Sequence, residues 1–138
     1  MTKPRPLSFD VTTPVRVRYA DTDQMGVVYY ANYLVWFEIG RTEWLRAQGT
    51  TYAAIERDGF VLPVIEARCQ YRMSLRYDDE VGISTRAALV TPVRVEFHYT
   101  IVRRPDGAVA ADGLTVHAVT DTTGRPRRLP AAIRSLFP

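Results

Sequence analysis

Two aspartates, Asp21 and Asp23, stand two positions apart in a segment without regular periodicity, and a helical pattern begins soon afterwards near Ala31. The start of a helix presents backbone N–H groups without acceptors and the positive end of the helix dipole. A carboxylate beside such donors supplies what acyl transfer requires, namely a base or nucleophile and hydrogen bonds for a developing oxyanion. Because Asp-x-Asp also occurs in ordinary turns and caps, the residue types alone leave both interpretations open.

The elements on either side of this segment are a predicted strand and a predicted helix. The strand has apolar side chains that alternate with arginines, at Val15, Val17 and Tyr19. The helix is predicted over about 31–48, with one apolar face formed by Tyr33, Phe37, Gly40 and Trp44 and widened by Leu34 and Leu45. Because glycine inside a helix costs about 1 kcal/mol relative to alanine, Gly40 predicts a close approach of this helix to a strand.

The remainder of the chain is predicted to be mainly antiparallel sheet. Alternating strands are predicted over about 64–73, 81–89, 93–101 and 109–120, with short helices at 52–57 and from Pro130. A long apolar helix that precedes such strands must be buried against them. The predicted fold class is therefore α+β, a curved antiparallel sheet of about five strands wrapped around one long helix. We predict one domain over residues 1–138, with 1–13 as a lead-in segment.

Composition excludes several other kinds of protein. The 138 residues are 46% hydrophobic and 24% charged, which is ordinary for a globular domain. No apolar run is long enough to cross a bilayer, and the first residues lead into no secretory signal. The single cysteine favours a reducing, cytoplasmic compartment. The net charge is only +3 and the arginines are spread along the chain, so we expect no nucleic-acid partner.

A long continuous segment carries a family resemblance. The stretch Tyr-Ala-Asp-Thr-Asp-Gln-Met-Gly-Val-Val-Tyr-Tyr-Ala-Asn-Tyr-Leu at 19–34, continued by Trp36-Phe37-Glu38 and Arg41-Thr42-Glu43-Trp44-Leu45, resembles the 4-hydroxybenzoyl-CoA thioesterase family. It is also similar to the acyl-CoA thioesterases found with Tol-Pal systems. This resemblance implies a hot-dog fold in homodimers or homotetramers. It also implies hydrolysis of an acyl-CoA to a carboxylic acid and free CoA, without a metal or another cofactor.

The resemblance assigns the main catalytic roles to Asp23 and Tyr30. The second aspartate of the pair is the catalytic carboxylate, as general base or as nucleophile, and this position is Asp23. The thioester carbonyl is expected to accept a hydrogen bond from the backbone N–H of Tyr30. The Tol-Pal branch has histidine at this position, whereas a phenol with an ordinary pKa near 10 transfers protons poorly at neutral pH. We therefore expect Tyr30 to contribute its amide, and Asp21 to stabilise the turn.

Other polar residues receive secondary interpretations. Glu38, within the helix, is either a substitute base or second polar group of the pocket, or else a subunit-interface or solvent-facing glutamate, and the latter is favoured. Asn32 either caps the helix or orients the site, and capping is favoured. His98 and His117 stand at strand positions without metal-ligand spacing, so no metal site is predicted. Cys69 belongs to the inward set of its strand and is predicted to lie in the core.

Three arginines are candidates for CoA binding. Arg125 and Arg127 follow the last strand where related enzymes place phosphate contacts, and Arg94 is a further candidate; a solvated turn is the alternative. Two other functions stay open at this point. A non-catalytic acyl-thioester-binding hot-dog protein would tolerate loss of Asp23. A hot-dog hydratase or dehydratase would need a histidine paired with an acid, and neither histidine lies in a site-like segment.

Overall fold

The computed structural model describes residues 10–137, with one strand before the long helix and four after it. The elements follow in the order β1 (Val11–Arg16), α1 (Asn32–Ala47), α2 (Tyr52–Arg57), β2 (Val64–Tyr71), β3 (Glu80–Thr91), β4 (Arg94–Arg104), β5 (Val109–Ala118) and α3 (Ala131–Arg134). One turn of 3-10 helix at Tyr19–Asp21 lies between β1 and α1. No helix within residues 10–137 is long and apolar enough to span a bilayer.

All five strands belong to one antiparallel sheet in the order β1-β3-β4-β5-β2. Side chains alternate between the two faces, and in β4 the buried set is Val95, Phe97, Tyr99 and Ile101. The predicted sheet of about five strands around one long helix is confirmed.

Helix α1 lies against this sheet most closely at Gly40. A Cβ atom there would overlap the hydroxyl of Thr85 and would lie 2.9 Å from Cγ2 of Ile83, both on β3. One turn earlier, the ring of Phe37 stacks on Tyr99 with the ring centroids 4.2 Å apart. The close approach predicted from Gly40 is confirmed, because only a residue without a side chain lets the helix backbone reach β3.

Two details of the predicted helix face and first strand are wrong. Leu34 is 40% exposed, whereas Trp36 is 3% exposed, because the buried stripe of α1 runs on the other side of Tyr33. β1 begins at Val11, inside the predicted lead-in, since Val11, Thr12 and Thr13 pair with β3. Residues 1–9 of that lead-in lie outside the described residues.

The inward face of β2 is more exposed than its pattern predicts. Ile65 is 50% and Tyr71 47% exposed, and Cys69, predicted to lie in the core, is only half-buried at its margin. The reason is that α1 packs mainly on β3 and β1, at the far side of the sheet. β2 is also an edge strand, with no partner on its outer side among residues 10–137. One edge and one face of β2 are therefore left open.

Candidate active site

Asp21 organises the loop between β1 and α1. Its carboxylate accepts hydrogen bonds from the backbone N of Arg18 at 2.8 Å and from the Arg18 guanidinium at 2.9 Å. Its backbone oxygen accepts from the backbone N of Tyr29 at 2.9 Å and from Nδ2 of Asn32 at 2.8 Å. Asp21 therefore ties the beginning of the loop to its end and to the first residue of α1, which confirms its predicted role in the turn.

The electrostatics of Asp21 follow from the same contacts. The side chain is only 7% exposed, and burial alone would raise the pKa of this carboxyl. The hydrogen bonds and the positive charge of Arg18 outweigh burial, so the pKa of Asp21 is lowered below its ordinary value. Asp21 is consequently an anion at neutral pH, and its carboxylate is hydrogen-bonded to Arg18 within the loop.

Asp23 lies at the first position of a tight turn. The backbone N of Gly26 donates to the carbonyl of Asp23 at 3.0 Å, and the backbone N of Asp23 donates to Val27 at 2.9 Å. Gly26 has a φ of 77°, a left-handed conformation that glycine adopts without strain. Oδ1 of Asp23 accepts from the backbone N of Met25 at 2.9 Å. Within residues 10–137 the other carboxylate oxygen has no hydrogen-bond partner, so Asp23 is held at one oxygen and open at the other.

The start of α1 presents two backbone N–H groups. The carbonyl of Tyr29 accepts from the N of Asn32 at 2.9 Å, and the carbonyl of Tyr30 accepts from the hydroxyl of Tyr71 at 2.9 Å. The N–H groups of Tyr30 and Ala31 donate to no acceptor in the described part of the chain. These are the unpaired donors expected at a helix start, where the dipole favours negative charge.

Asp23 lies in the loop that leads into this helix start, and the pairing of Thr22 with Val28 closes that loop. The pKa of the Tyr29 phenol is raised, chiefly by its hydrogen bond with Tyr30 and in smaller part by the negative charge of Asp23. The Tyr30 ring is 62% exposed and tilted against Tyr29, with centroids 4.7 Å apart. A cavity of about 320 Å³ lies beside them, lined by Val27, Tyr30 and Tyr71 among others. The loop before α1 therefore carries a carboxylate with one open oxygen, and the helix start that follows it presents two backbone donors and lines a cavity.

The two secondary candidates on α1 do different things. Asn32 makes no capping hydrogen bond, so the capping interpretation is wrong; its amide holds the Asp21 carbonyl because the residue already lies inside the first turn. Glu38 is exposed and lies eight positions after Tyr30, about 12 Å along the helix. It lines a separate cavity of about 370 Å³ with Arg41 and Tyr52, so one chain does not place it beside Asp23.

The three candidate arginines lie away from Asp23 in the same chain. Arg127 donates its backbone N to Val119 at 2.9 Å, and its guanidinium lies 5.3 Å from the centroid of the Phe60 ring. Arg125 is exposed in the same turn, and Arg94 is exposed at the start of β4 opposite Ala118. This end of the sheet is where β2 begins, whereas Tyr71, next to the helix start, is where β2 ends.

Neither histidine joins the site. His117 is fully buried: its Nδ1 donates to the carbonyl of Leu62 at 2.8 Å, and its Nε2 lies 2.8 Å from Oγ1 of Thr115. Burial lowers the pKa of His117 to about 4. His98 pairs with Glu96 at 3.0 Å on the opposite face of the sheet. Among residues 10–137, no group of three His, Cys, Asp or Glu side chains is placed to hold a metal ion.

Sequence reasoning missed two groups at the site, the N–H of Ala31 and the hydroxyl of Tyr71. An alanine amide carries no signal in a sequence, since every residue but proline has one. Tyr71 looks like one more apolar member of an alternating strand, and only the fold brings it to Tyr30, 41 positions earlier in the chain.

Comparison with known proteins identifies the family. Residues 17–137 match the family model described as the thioesterase-like superfamily. The acyl-CoA thioester hydrolase YbgC of Escherichia coli O157:H7 is 32% identical over 124 residues, which is 90% of this chain and 92% of that protein. A DHNA-CoA thioesterase structure from Staphylococcus aureus matches with a TM-score of 0.82 and 32% identity, covering 87% of this chain and 80% of the other.

A third structure supports the fold alone. A 4-hydroxybenzoyl-CoA thioesterase mutant complexed with 4-hydroxybenzoyl-CoA is 18% identical, with a TM-score of 0.84 over 95% of this chain and 100% of the other. The chain therefore belongs to the thioesterase-like superfamily. The predicted hot-dog fold and the predicted family are confirmed, and the protein is a thioester hydrolase.

The role of Asp21 predicts a specific pH dependence of stability. Because the folded-state pKa is lowered, its stabilisation is complete above the ordinary value of 3.8 and is lost as the pH falls through the lower folded value. We expect Asp21→Asn to reduce the free energy of unfolding by about 1–2 kcal/mol at pH 7. In urea unfolding, the difference from wild type should shrink below about pH 4.

The matched control is Asp58→Asn, an exposed aspartate after α2. It should leave the free energy of unfolding nearly unchanged over the same pH range. Two results would contradict this role of the Asp21 anion. One is an equal loss in the free energy of unfolding for both variants. The other is a loss for Asp21→Asn that is as large at pH 3 as at pH 7.

Proposed function

We propose that this protein hydrolyses acyl-CoA thioesters, with Asp23 as the acting carboxylate and the N–H of Tyr30 as a donor to the thioester carbonyl. The observation that supports this proposal is the half-buried Asp23 carboxylate, open at one oxygen, in the loop that leads to two unpaired N–H groups at the start of α1. Relatives named as acyl-CoA thioester hydrolases support CoA as the carrier. The acyl group stays open between aromatic, short and long chains.

Two balanced routes fit a carboxylate in this place. As a general base, Asp23 removes a proton from water while the water oxygen attacks the carbonyl carbon; the C–S bond then breaks and the CoA sulfur receives the proton. As a nucleophile, Asp23 forms a mixed anhydride and releases CoA, and water then cleaves the anhydride. Each route gives one carboxylic acid and one free thiol. Helix-start donors stabilise the oxyanion in both, and neither route involves a cofactor.

The rival functions lack a corresponding arrangement. A hydratase or dehydratase requires a histidine beside an acid at the thioester, but His117 is buried near Leu62, at the opposite end of β2 from Tyr71. Its low pKa of about 4 also keeps the ring neutral at physiological pH. A non-catalytic binding protein has no need for a carboxylate with one open oxygen in the loop that leads to unpaired donors. Hydrolysis is therefore favoured over both.

The open strand β2 supports assembly as a homodimer. β1, the other edge strand, contains Pro14, which has no N–H to offer a partner, whereas residues 64–71 contain no proline. Exposed Val64, Ile65 and Tyr71 would become buried if two copies of β2 paired. A two-fold axis makes such a pair antiparallel, and it joins two sheets into one continuous sheet. A homotetramer of two such dimers is the larger assembly proposed.

This dimer would explain how Asp23 and the proposed CoA-binding arginines, which lie far apart in one chain, can contact the same substrate. From Val64 to Tyr71, β2 extends about 23 Å, which separates the two ends within one chain. Antiparallel pairing places the beginning of one β2 beside the end of the other. The Asp23 site of one subunit would then receive CoA phosphates on Arg125 and Arg127 of the partner subunit, with Arg94 as a further contact. A cytoplasmic location, where acyl-CoA is produced and consumed, is part of the proposal.

The first test concerns Asp23. Asp23→Asn preserves size but removes the base and nucleophile, so kcat should fall at least about 100-fold with acyl-CoA substrates, measured by release of free thiol. Asp58→Asn serves as the control and should retain wild-type turnover. Near-normal turnover in Asp23→Asn, together with loss of turnover in Glu38→Gln, would show that the acting acid has been misassigned.

The second test concerns the arginines. Charge-assisted contacts with CoA phosphates are similar in ground and transition states, so Arg125→Ala with Arg127→Ala should raise KM and leave kcat nearly unchanged. The same double variant should hydrolyse an N-acetylcysteamine thioester, which has no phosphates, as well as wild type does. Equal losses on both substrates would instead assign these arginines to folding.

The third test concerns the shared site. One preparation carries Asp23→Asn, and the other carries Arg125→Ala together with Arg127→Ala. The two are mixed, dissociated and reassociated. Activity is then measured at a substrate concentration where each preparation alone is nearly inactive. A mixed dimer has one intact site, so random reassociation should restore roughly a quarter of wild-type activity. No recovery, in mixtures shown by native mass spectrometry to contain mixed dimers, would place the aspartate and the arginines of each site in one chain. A monomer that turns over acyl-CoA would exclude the dimer.

A further inference from the structure

One hydrogen bond joins the open edge strand to the helix start. The hydroxyl of Tyr71, the last residue of β2, donates to the backbone carbonyl of Tyr30 at 2.9 Å. That carbonyl belongs to the same planar peptide unit as the N–H of Ala31. Any group that holds the carbonyl therefore also sets the direction of the Ala31 N–H, one of the two donors that have no acceptor within residues 10–137.

The two unpaired donors differ in how they are held. The N–H of Tyr30 belongs to the peptide whose carbonyl, on Tyr29, accepts from the backbone N of Asn32, the first residue of α1, at 2.9 Å. The carbonyl of Tyr30 accepts from Tyr33 at the longer distance of 3.4 Å, so its shorter bond is the one from Tyr71. A hydrogen bond at the carbonyl also polarises the peptide and strengthens its N–H as a donor. The orientation and strength of the Ala31 donor thus depend on a side chain from another element.

Tyr71 is itself fixed in the orientation that this bond requires. Its ring meets the buried ring of Tyr33 edge to face, with centroids 5.0 Å apart and planes at 88°. Burial, and then the neighbouring Cys69, raise the pKa of Tyr71 to about 12. The phenol therefore keeps its proton throughout the neutral range and acts as a donor to Tyr30.

We propose that Tyr71 is a positioning residue that holds the Ala31 N–H as the second donor to the thioester oxyanion. The inference rests on the proposed hydrolysis at Asp23 and completes its donor pair, Tyr30 and Ala31. The donors act on charge that develops only in the transition state. Loss of the Tyr71 hydroxyl should therefore lower kcat and leave substrate binding nearly unchanged. It also makes the end of β2, the strand proposed to join the subunits, part of the reacting site.

The test is Tyr71→Phe, which removes one oxygen atom and retains the ring. Removing an oxyanion donor outright costs about 100- to 1,000-fold in kcat, and loosening one should cost less, so we expect about a tenfold fall in kcat with KM changed less than about twofold. Tyr77→Phe is the matched control. Tyr77 is 59% exposed, its ring contacts that of Tyr19 in the loop before α1, and its hydroxyl makes no hydrogen bond in the described part of the chain.

A second readout needs no turnover. The backbone ¹⁵N resonance of Ala31 responds to the hydrogen bond on the preceding carbonyl, so it should shift in Tyr71→Phe and stay in place in Tyr77→Phe. Melting temperatures that agree for the two variants would show that the fold is retained. The inference is overturned if Tyr71→Phe keeps wild-type kcat, if the loss falls on KM, or if the Ala31 resonance does not move. Absence of turnover in the wild-type protein on every acyl-CoA, with the Ala31 shift present, would instead reject the proposed hydrolysis.

Discussion

The close contact between α1 and β3 at Gly40 is the constraint on which the rest of the structure depends. A helix buried this deeply has no freedom to slide or rotate, because a Cβ atom at Gly40 would already overlap the Thr85 hydroxyl. The stacked rings of Phe37 and Tyr99 fix the preceding turn. The start of α1 is therefore held at a defined place, and the unpaired N–H groups of Tyr30 and Ala31 just before it have the fixed position that the proposed oxyanion contact requires.

The edge strand β2 is held at both ends by polar contacts while its outer edge stays open. At its beginning, buried His117 bonds to the carbonyl of Leu62 at 2.8 Å and to Thr115, which in turn bonds to Tyr99 at 2.6 Å. At its end, Tyr71 bonds to Tyr30. The first network ties the start of β2 to β5 and β4 within the sheet, and the second ties its end to the start of α1. In the proposed dimer, a strand fixed in this way would pair with its copy without the entropic cost of first becoming ordered.

Local patterns predict much of this architecture, and long-range contacts account for what they miss. Strand alternation and helical period depend on neighbouring residues, so the sheet, the helix and the approach at Gly40 are readable from the sequence. The role of Asp21 in the turn is readable as well, because its contacts with Arg18 lie within a short loop. The role of Asp23 comes from the family resemblance and stays a prediction. The exposure of Ile65, the contact of Asn32 with Asp21 and the contact of Tyr71 with Tyr30 depend on how distant elements meet. No local sequence pattern specifies which of these distant residues come into contact.

The central claim is that the thioester lies between the Asp23 carboxylate and the N–H groups at the start of α1. A crystal structure of the Asp23→Asn variant with an intact acyl-CoA tests it most directly, because the substrate persists when the acting acid is absent. The account predicts the thioester oxygen about 2.7–3.2 Å from the backbone N of Tyr30, with the carbonyl carbon next to the side chain at position 23. A thioester bound beside Glu38 instead, with its oxygen beyond hydrogen-bond distance of Tyr30 and Ala31, would contradict it.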